Sequence, residues 1–489
     1  MHPEQTSITF SRCLNWRAKA RSARRVSAAA DIAKPSANIR LCLCLIYYFT
    51  LCDTVLKVFP QGVAIALRYL PEAVLYVFVF VLLLKKWRIA SFPLFWPLCA
   101  CALTMTISGI LNSSSMFWVI GDFRIYFRFV AFTYIGWRTT LTPQRIVQFI
   151  KGFLGLTIIE LIVGGLELIG GNETRFFFAP VLGLTSGAAQ VWFIEAKDAG
   201  GWIGGTLSDY NQFGMFMTMS CVLALALYFM KGSGRHLWLA SASALAVVLS
   251  FSRHSLLLLA VALGCVFLLH RKSIALRRKR IAPASLMRGF IVGLVLVVAL
   301  IGLGKGFVAA FEARLASITS PETWNSDSVY DVRFYNIMTL PPLFLRAYPF
   351  FGQGPIAPSD ANQFGQHEDT QMGPPIKAAP NLPGIARFTL TDVPWLLILG
   401  LYGCCGLAAF GYVFWSIAAA ANKVRKEESN PQNIVLAQAC LVAVVVFVVS
   451  GFFSLEMIAR DTVPVFWFLA GLVLSSATNP LSKMQVLHN

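Results

Sequence analysis

The sequence predicts an all-α polytopic membrane protein of about twelve transmembrane helices carrying one large polar loop, and three observations predict it. First, 57% of the 489 residues are hydrophobic and only 13% are charged, where soluble domains carry about a quarter charged residues. Second, apolar runs long enough to cross ~30 Å of hydrocarbon recur along nearly the whole chain. They lack the alternation of barrel strands, so each must satisfy its backbone within a helix. Third, lysine and arginine gather in alternate connections between those runs. The formal net charge of +18 is thus explained by membrane-flanking loops, and no nucleic-acid partner is expected.

Residues 1–40 form a basic tail holding Arg12, Arg17, Lys19, Arg21, Arg24, Arg25, Lys34 and Arg40. No apolar core with a small-residue cleavage site follows, so the tail reads as cytoplasmic and lying on anionic membrane lipid; an overextended start would look the same. The spans fall at roughly 41–58, 63–84, 93–111, 117–137, 146–169, 205–230, 236–251, 254–270, 289–311, 391–421, 434–453 and 462–478. Lys85, Arg138, Arg145, Lys231, Arg235, Arg271, the Arg277–Arg280 run and Lys423–Lys426 all fall in connections on the tail's side. The positive-inside rule then puts both termini in the cytoplasm and turns 170–204 and 312–390 outward. The chain divides into the tail 1–40, a first set of nine helices over 41–311, the loop 312–390, and three helices with a short tail over 391–489. Of the 11 cysteines, all but Cys13 lie in apolar runs, where cysteine is a small hydrophobe. No Cys/His spacing resembles a metal site, so neither disulfides, metal nor cofactor is expected.

The loop is the longest polar segment and carries chemistry-bearing residues. Asp327 to Asn336 reads as a short helix around Arg333, stopped by Pro341-Pro342. Arg346-Ala-Tyr-Pro-Phe-Phe-Gly352-Gln-Gly354-Pro355 follows, a glycine-rich turn that lets backbone approach something closely. His367 is the loop's histidine, either an exposed bystander or a catalytic base. Asp392, with Pro394 in the first turn, either caps the next helix or supplies a buried base at the membrane's outer face.

Within the spans, Gly121-Asp122-Phe-Arg124-Ile-Tyr-Phe-Arg128 puts two arginines on one helix face. Charges there cost several kcal/mol, roughly, unless paired or wet; Arg124 and Arg128 either bind substrate or pair with Asp122. Gly204-Gly-Thr-Leu-Ser-Asp209-Tyr-Asn211-Gln212-Phe-Gly214 opens a span, with Ser208 or Asp209 suited to capping and Asp209, Asn211 or Gln212 to a ligand role. Ser250-Phe-Ser-Arg253-His254-Ser255 interrupts an apolar stretch, which fits two short helices meeting outside with Arg253 and His254 at the bend, suited to an anion.

These motifs, in this order, resemble the Wzy-type polysaccharide polymerase and O-antigen ligase superfamily over about residues 40–475. Gly204–Gly214 is similar to its Gly-Thr-Phe-x-x-x-Asn-x-x-Gly signal, and Ser252-Arg253 to its Ser-Arg-Gly motif, with His254 in the glycine's place. Arg333 followed by Tyr348–Pro355 resembles the arginine helix and Pro-x-x-Gly-x-Gly turn of its large periplasmic loop, and Asp392–Gly406 the helix after it. The resemblance implies a metal-independent, GT-C-like glycosyltransferase of the bacterial inner membrane. It would act at the periplasmic face on undecaprenyl-diphosphate-linked glycans, with a chain-length regulator as a further partner. By motif, Arg253 and Arg333 hold the diphosphate; from the residues themselves, Asp392 or His367 is the candidate base, and Arg124, Arg128, Asp209, Asn211, His254, Gly352 and Gly354 are the candidate substrate contacts. O-antigen ligases place a His-Asn pair at the start of the helix after the loop, and here Thr391-Asp392 stands instead. That departure favours a polymerase making O-antigen or exopolysaccharide over a ligase transferring glycan to lipid A-core. A flippase or transporter of a lipid-linked anionic solute is the rival of another class, followed by a non-catalytic assembly scaffold. A transporter needs comparable gates on both faces, whereas the polar motifs cluster on one.

The topology makes a direct prediction. Reporter fusions at Gly365 and Asn489 should give opposite compartment signals, and equal signals from both would overturn the map.

Overall fold

The computed structural model describes residues 37–85, 89–139, 142–178, 203–207, 210–250, 252–277, 337, 340–355, 377–378, 386–387, 393–428, 430–453 and 462–478. Among these the helices are α1 (Ala37–Val55), α2 (Gln61–Lys85), α3 (Phe95–Leu111), α4 (Met116–Phe127), α5 (Val130–Trp137) and α6 (Pro143–Phe178). They continue as α7 (Tyr210–Lys231), α8 (Gly234–Leu249), α9 (Arg253–Arg277), α10 (Pro394–Glu427), α11 (Pro431–Ser450) and α12 (Val463–Thr478). The strand content described is one two-residue antiparallel pair, β1 (Lys377–Ala378) with β2 (Ala386–Arg387). Among the described residues, five helices are long and apolar enough to cross a membrane: Gly62–Lys85, Gln144–Gly171, Tyr210–Lys231, Pro394–Glu427 and Pro431–Ser450. With the shorter apolar helices beside them, this is a helical, polytopic membrane architecture. The span expected at 289–311 lies outside the described residues.

Local chemistry explains the boundaries. α7 stops at Lys231 because Gly232 takes a left-handed φ of 68° and closes the helix through its N–H to Tyr228 O, 2.7 Å, the usual glycine stop. α11 begins at Pro431 under the Asn430 side chain, which accepts from Gln432 N at 3.0 Å. The predicted span 117–137 is two helices, α4 and α5. The chain tightens at Arg128–Phe129, where Phe132 N–H bonds Phe129 O at 2.9 Å. α10 is likewise interrupted at Gly403, with φ 66° and ψ −165°.

α7 is the central helix, packed against α6, α8, α9 and α11, and buried nearly all round from Phe213 to Leu227. An aromatic layer joins α10, α11 and α12, with Phe447 stacked on Phe466 at 4.3 Å between ring centroids. α5 and α12 approach most closely through glycine: a Cβ on Gly136 would press on Phe468 O and one on Gly471 on the Thr133 backbone. Thr133 Oγ1 also donates to Trp467 O at 2.7 Å. Small residues replacing hydrophobic force at a helix crossing are a membrane-protein device.

The helix directions sort the ends. The tail-side end holds Asn38, whose amide donates to Thr139 Oγ1 at 3.1 Å, and Trp137, whose ring N–H donates to Thr478 Oγ1 at 3.1 Å. The opposite end holds the starts of α7, α9 and α10 and the finish of α11, drawn together by the contacts below.

Gly471→Val should therefore cost about 1–3 kcal/mol through overpacking and lower the melting temperature in detergent. Gly411→Ala, on α10 with nothing within 4 Å of the added carbon, should leave it unchanged or slightly raised.

Candidate active site

The two motifs nearest Arg253 dock on each other. α8 ends at Leu249 and α9 begins at Arg253. Ser252 caps α9: its Oγ accepts from Ser255 N at 3.0 Å, as an N-cap serine should. The same hydroxyl donates to Asn211 Oδ1 at 2.6 Å, and Ser255 Oγ donates to Asn211 O at 3.1 Å. Gly214 is glycine because any Cβ would land on the Ser255 side chain. Asn211, one residue into α7, thus fixes the start of α9 and with it Arg253, the first helical residue. Arg253 is half-buried, while Ser250, Ser252, His254 and Ser255 are buried. The His254 ring lies 6.0 Å from Phe453, just past the end of α11.

α11 carries this cluster over to the start of α10. Trp395 N–H bonds Gly451 O at 3.3 Å, and its ring N–H donates to Val448 O at 2.8 Å. Buried Val393 adjoins Asp392, which lies outside the described residues, as do Asp209, Arg333 and His367.

A pair of carboxylates singled out by no motif completes the α7 side. Glu160 and Glu167 stand about two turns apart on one face of α6 and are both buried. Glu167 Oε2 accepts from Gly204 N at 2.8 Å and Gly205 N at 3.0 Å. Glu160 accepts from Thr206 N at 2.9 Å and from the Thr206 hydroxyl. Gly205 adopts φ 63°, and a side chain there would strike Glu160 and Phe213. The Gly-Gly-Thr motif is a backbone wrapped on two carboxylates, and Thr206 Oγ1 further donates to Thr50 O of α1 at 3.4 Å. The available signal was the pair of lone acids in an otherwise apolar run, since such groups rarely sit in membranes without a task.

Two other groups of expected substrate contacts sit apart from this cluster. Arg124 reaches Glu72 Oε2 at 2.5 Å and Arg128 reaches Glu72 Oε1 at 3.4 Å. Asp122 instead accepts from the Tyr402 hydroxyl at 2.5 Å. Glu72 is buried on α2 directly after Pro71, a single acid in an apolar segment with no motif around it. Gly352 and Gly354 have φ 68° and 78°, and a Cβ on Gly352 would fall on the backbone at Leu401–Tyr402. The close approach expected of the turn is thus to α10.

Taken together, the described residues form an integral membrane protein whose polar motifs converge at one end of a helical bundle. Residues 238–411 match the Wzy_C family model, O-antigen ligase. Over that stretch the chain is similar to the O-antigen ligase family. No curated protein matches the chain.

Ser252→Ala removes both the cap and the Asn211 donor. It should destabilise α9 by about 1 kcal/mol and reduce glycan-transfer activity, with Ser252→Thr retaining most of both. Equal activity of the alanine variant at equal abundance would show that the α7–α9 clasp does not shape the site.

Proposed function

We propose that this protein is a polymerase of the bacterial inner membrane, joining undecaprenyl-diphosphate-linked oligosaccharide repeat units at the periplasmic face into O-antigen or exopolysaccharide. The proposal includes about twelve spans, cytoplasmic termini, and the loop 312–390 facing the periplasm. The observation that carries the reading is the clasp of Asn211 on Ser252, which unites two family motifs and presents Arg253 at the head of α9. The family match supplies the lipid-linked substrate class.

The chemistry is one displacement. An acceptor sugar hydroxyl attacks the anomeric carbon of the donor glycan. The new C–O bond forms as the bond from that carbon to the diphosphate oxygen breaks, and the electron pair leaves on the lipid diphosphate. A base, Asp392 or His367 in this proposal, takes the hydroxyl proton. Negative charge grows on the leaving oxygens, where a guanidinium offers forked donors without a metal. Arg253 supplies one fork and Arg333 the second, with Asp209, Asn211 and His254 lining the substrate.

A ligase reading also has an observation behind it, since O-antigen ligase is the description of the matching family. Donor and leaving group would be the same, and the acceptor would be lipid A-core. Membranes containing the protein, given lipid-linked repeat units with or without lipid A-core, distinguish the two readings. A ladder of lipid-linked glycan without core supports the polymerase; product only on core supports the ligase.

Arg253→Ala and Arg333→Ala should each lose about 10²–10³ in rate, the size of removing one transition-state donor, at normal abundance. Arg333→Lys should also be impaired, because lysine lacks the planar fork. Wild-type product from Arg333→Ala at wild-type abundance would remove Arg333 from the site.

A further inference from the structure

We propose that Asp122 and Tyr402 are positioning residues for the large loop, holding the break in α10 on which the Pro349–Pro355 turn is bound. The significance for catalysis rests on the function proposed above; the structural device does not.

An interruption at Gly403 strips backbone groups of their helical partners, and in a membrane interior each such group costs several kcal/mol, roughly, if left unbonded. The turn meets that need. Gln353 N donates to Gly400 O at 2.8 Å and Gly354 N to Leu401 O at 3.0 Å. In return Cys404 N donates to Pro349 O and Cys405 N to Phe350 O, both at 3.0 Å. A Cβ on Gly403 would strike the Phe350 backbone, and one on Gly352 the Leu401 backbone. Turn and break therefore complete each other. The end of α3 and the α3–α4 connection grip the other side: Asn112 Nδ2 donates to Gly352 O at 3.1 Å, Ser114 Oγ to Pro355 O at 3.0 Å, and Ser108 Oγ to Leu401 O at 2.7 Å.

Tyr402 sits at the apex of this break and is fully buried. Its hydroxyl donates to Asp122 Oδ2 at 2.5 Å, tying the break to α4 about two turns below that helix's start. α4 is in turn held by Glu72, through Arg124 and Arg128. The formal charges of Glu72, Asp122, Arg124 and Arg128 cancel, so the group needs no outside anion. This assigns the two arginines to fixing α4 and, through Asp122 and Tyr402, the turn from which the loop departs.

The test is a cross-link. Phe350→Cys, with native Cys404 and Cys405 kept and the other cysteines replaced, is oxidised in membranes. The chain is then cut at a protease site inserted at Gly365, and a non-reducing gel reports what fraction of chains stays joined. That fraction is independent of abundance and of any glycan chemistry. Tyr402→Phe should lower the ratio of joined to separated chains about tenfold, as expected for losing a hydrogen bond to a charged group, while Asp122→Asn, which keeps an acceptor oxygen, should lower it less. Glycan transfer should fall with the joined fraction in Tyr402→Phe and recover once the cross-link is formed, a rescue that a merely structural tyrosine would not give. An unchanged joined fraction in Tyr402→Phe would overturn the proposal, as would a lowered fraction whose closure restores no activity. If the unmodified chain transfers no glycan at all, the functional reading fails while the joined fraction still reports on the pair.

Discussion

Wherever a helix is interrupted inside hydrocarbon, its stranded N–H and C=O groups must find partners within the protein. The site end of this molecule is built from answers to that demand. At Gly204–Thr206 the partners are two carboxylates of α6. At the α8–α9 junction they are serine hydroxyls, with Ser252 capping α9 and bonding Asn211 in the same stroke. At Gly403 the partner is another piece of backbone, the Pro349–Pro355 turn. Each repair brings distant segments together, so satisfying the backbone also assembles the motifs.

The α9 repair has an electrostatic consequence. Arg253 is the first residue of a helix, where the macrodipole favours an anion and a cation is unfavourable by about 0.3–1 kcal/mol at exposed sites. In the proposed reaction, a diphosphate at the start of α9 would meet both the Arg253 guanidinium donors and the positive end of the helix dipole. Its charge is greatest at the moment the glycosidic bond breaks, so that stabilisation would act on the transition state. Ser252 and Asn211, by holding the helix start still, limit the reorganisation that would otherwise erode it.

Much of this was legible because motifs that interrupt apolar runs are conspicuous. The bend at Ser250–Ser255 could be read directly because a serine cluster interrupts an apolar run, and the demand of Gly352 for close approach because closely spaced glycines free the backbone of side chains. What the glycines approach could not be read, because the α10 backbone is an unmarked partner in sequence. Glu72, Glu160 and Glu167 carry a related ambiguity: each is one acid among apolar neighbours, and its partner lies far along the chain. Arg124 and Arg128 were read as a pair by their spacing, but spacing on one helix does not reveal which carboxylate answers them; Asp122 is nearer in sequence and Glu72 accepts them in space. The tightening between α4 and α5 carries no proline or glycine to announce it.

The division between the two halves of the proposed reaction follows the same geometry. In the proposal, Arg253 at a helix end held by side-chain hydrogen bonds serves the donor, together with Arg333. The acceptor would fall to the segment between the Pro349–Pro355 turn and Val393, the part carrying His367 and Asp392. On that proposal, a donor clamp with a separately anchored acceptor segment would let one chemistry serve different acceptors, and the distinction between polymerase and ligase would rest on the loop and its anchor, with Arg253 and its clasp common to both.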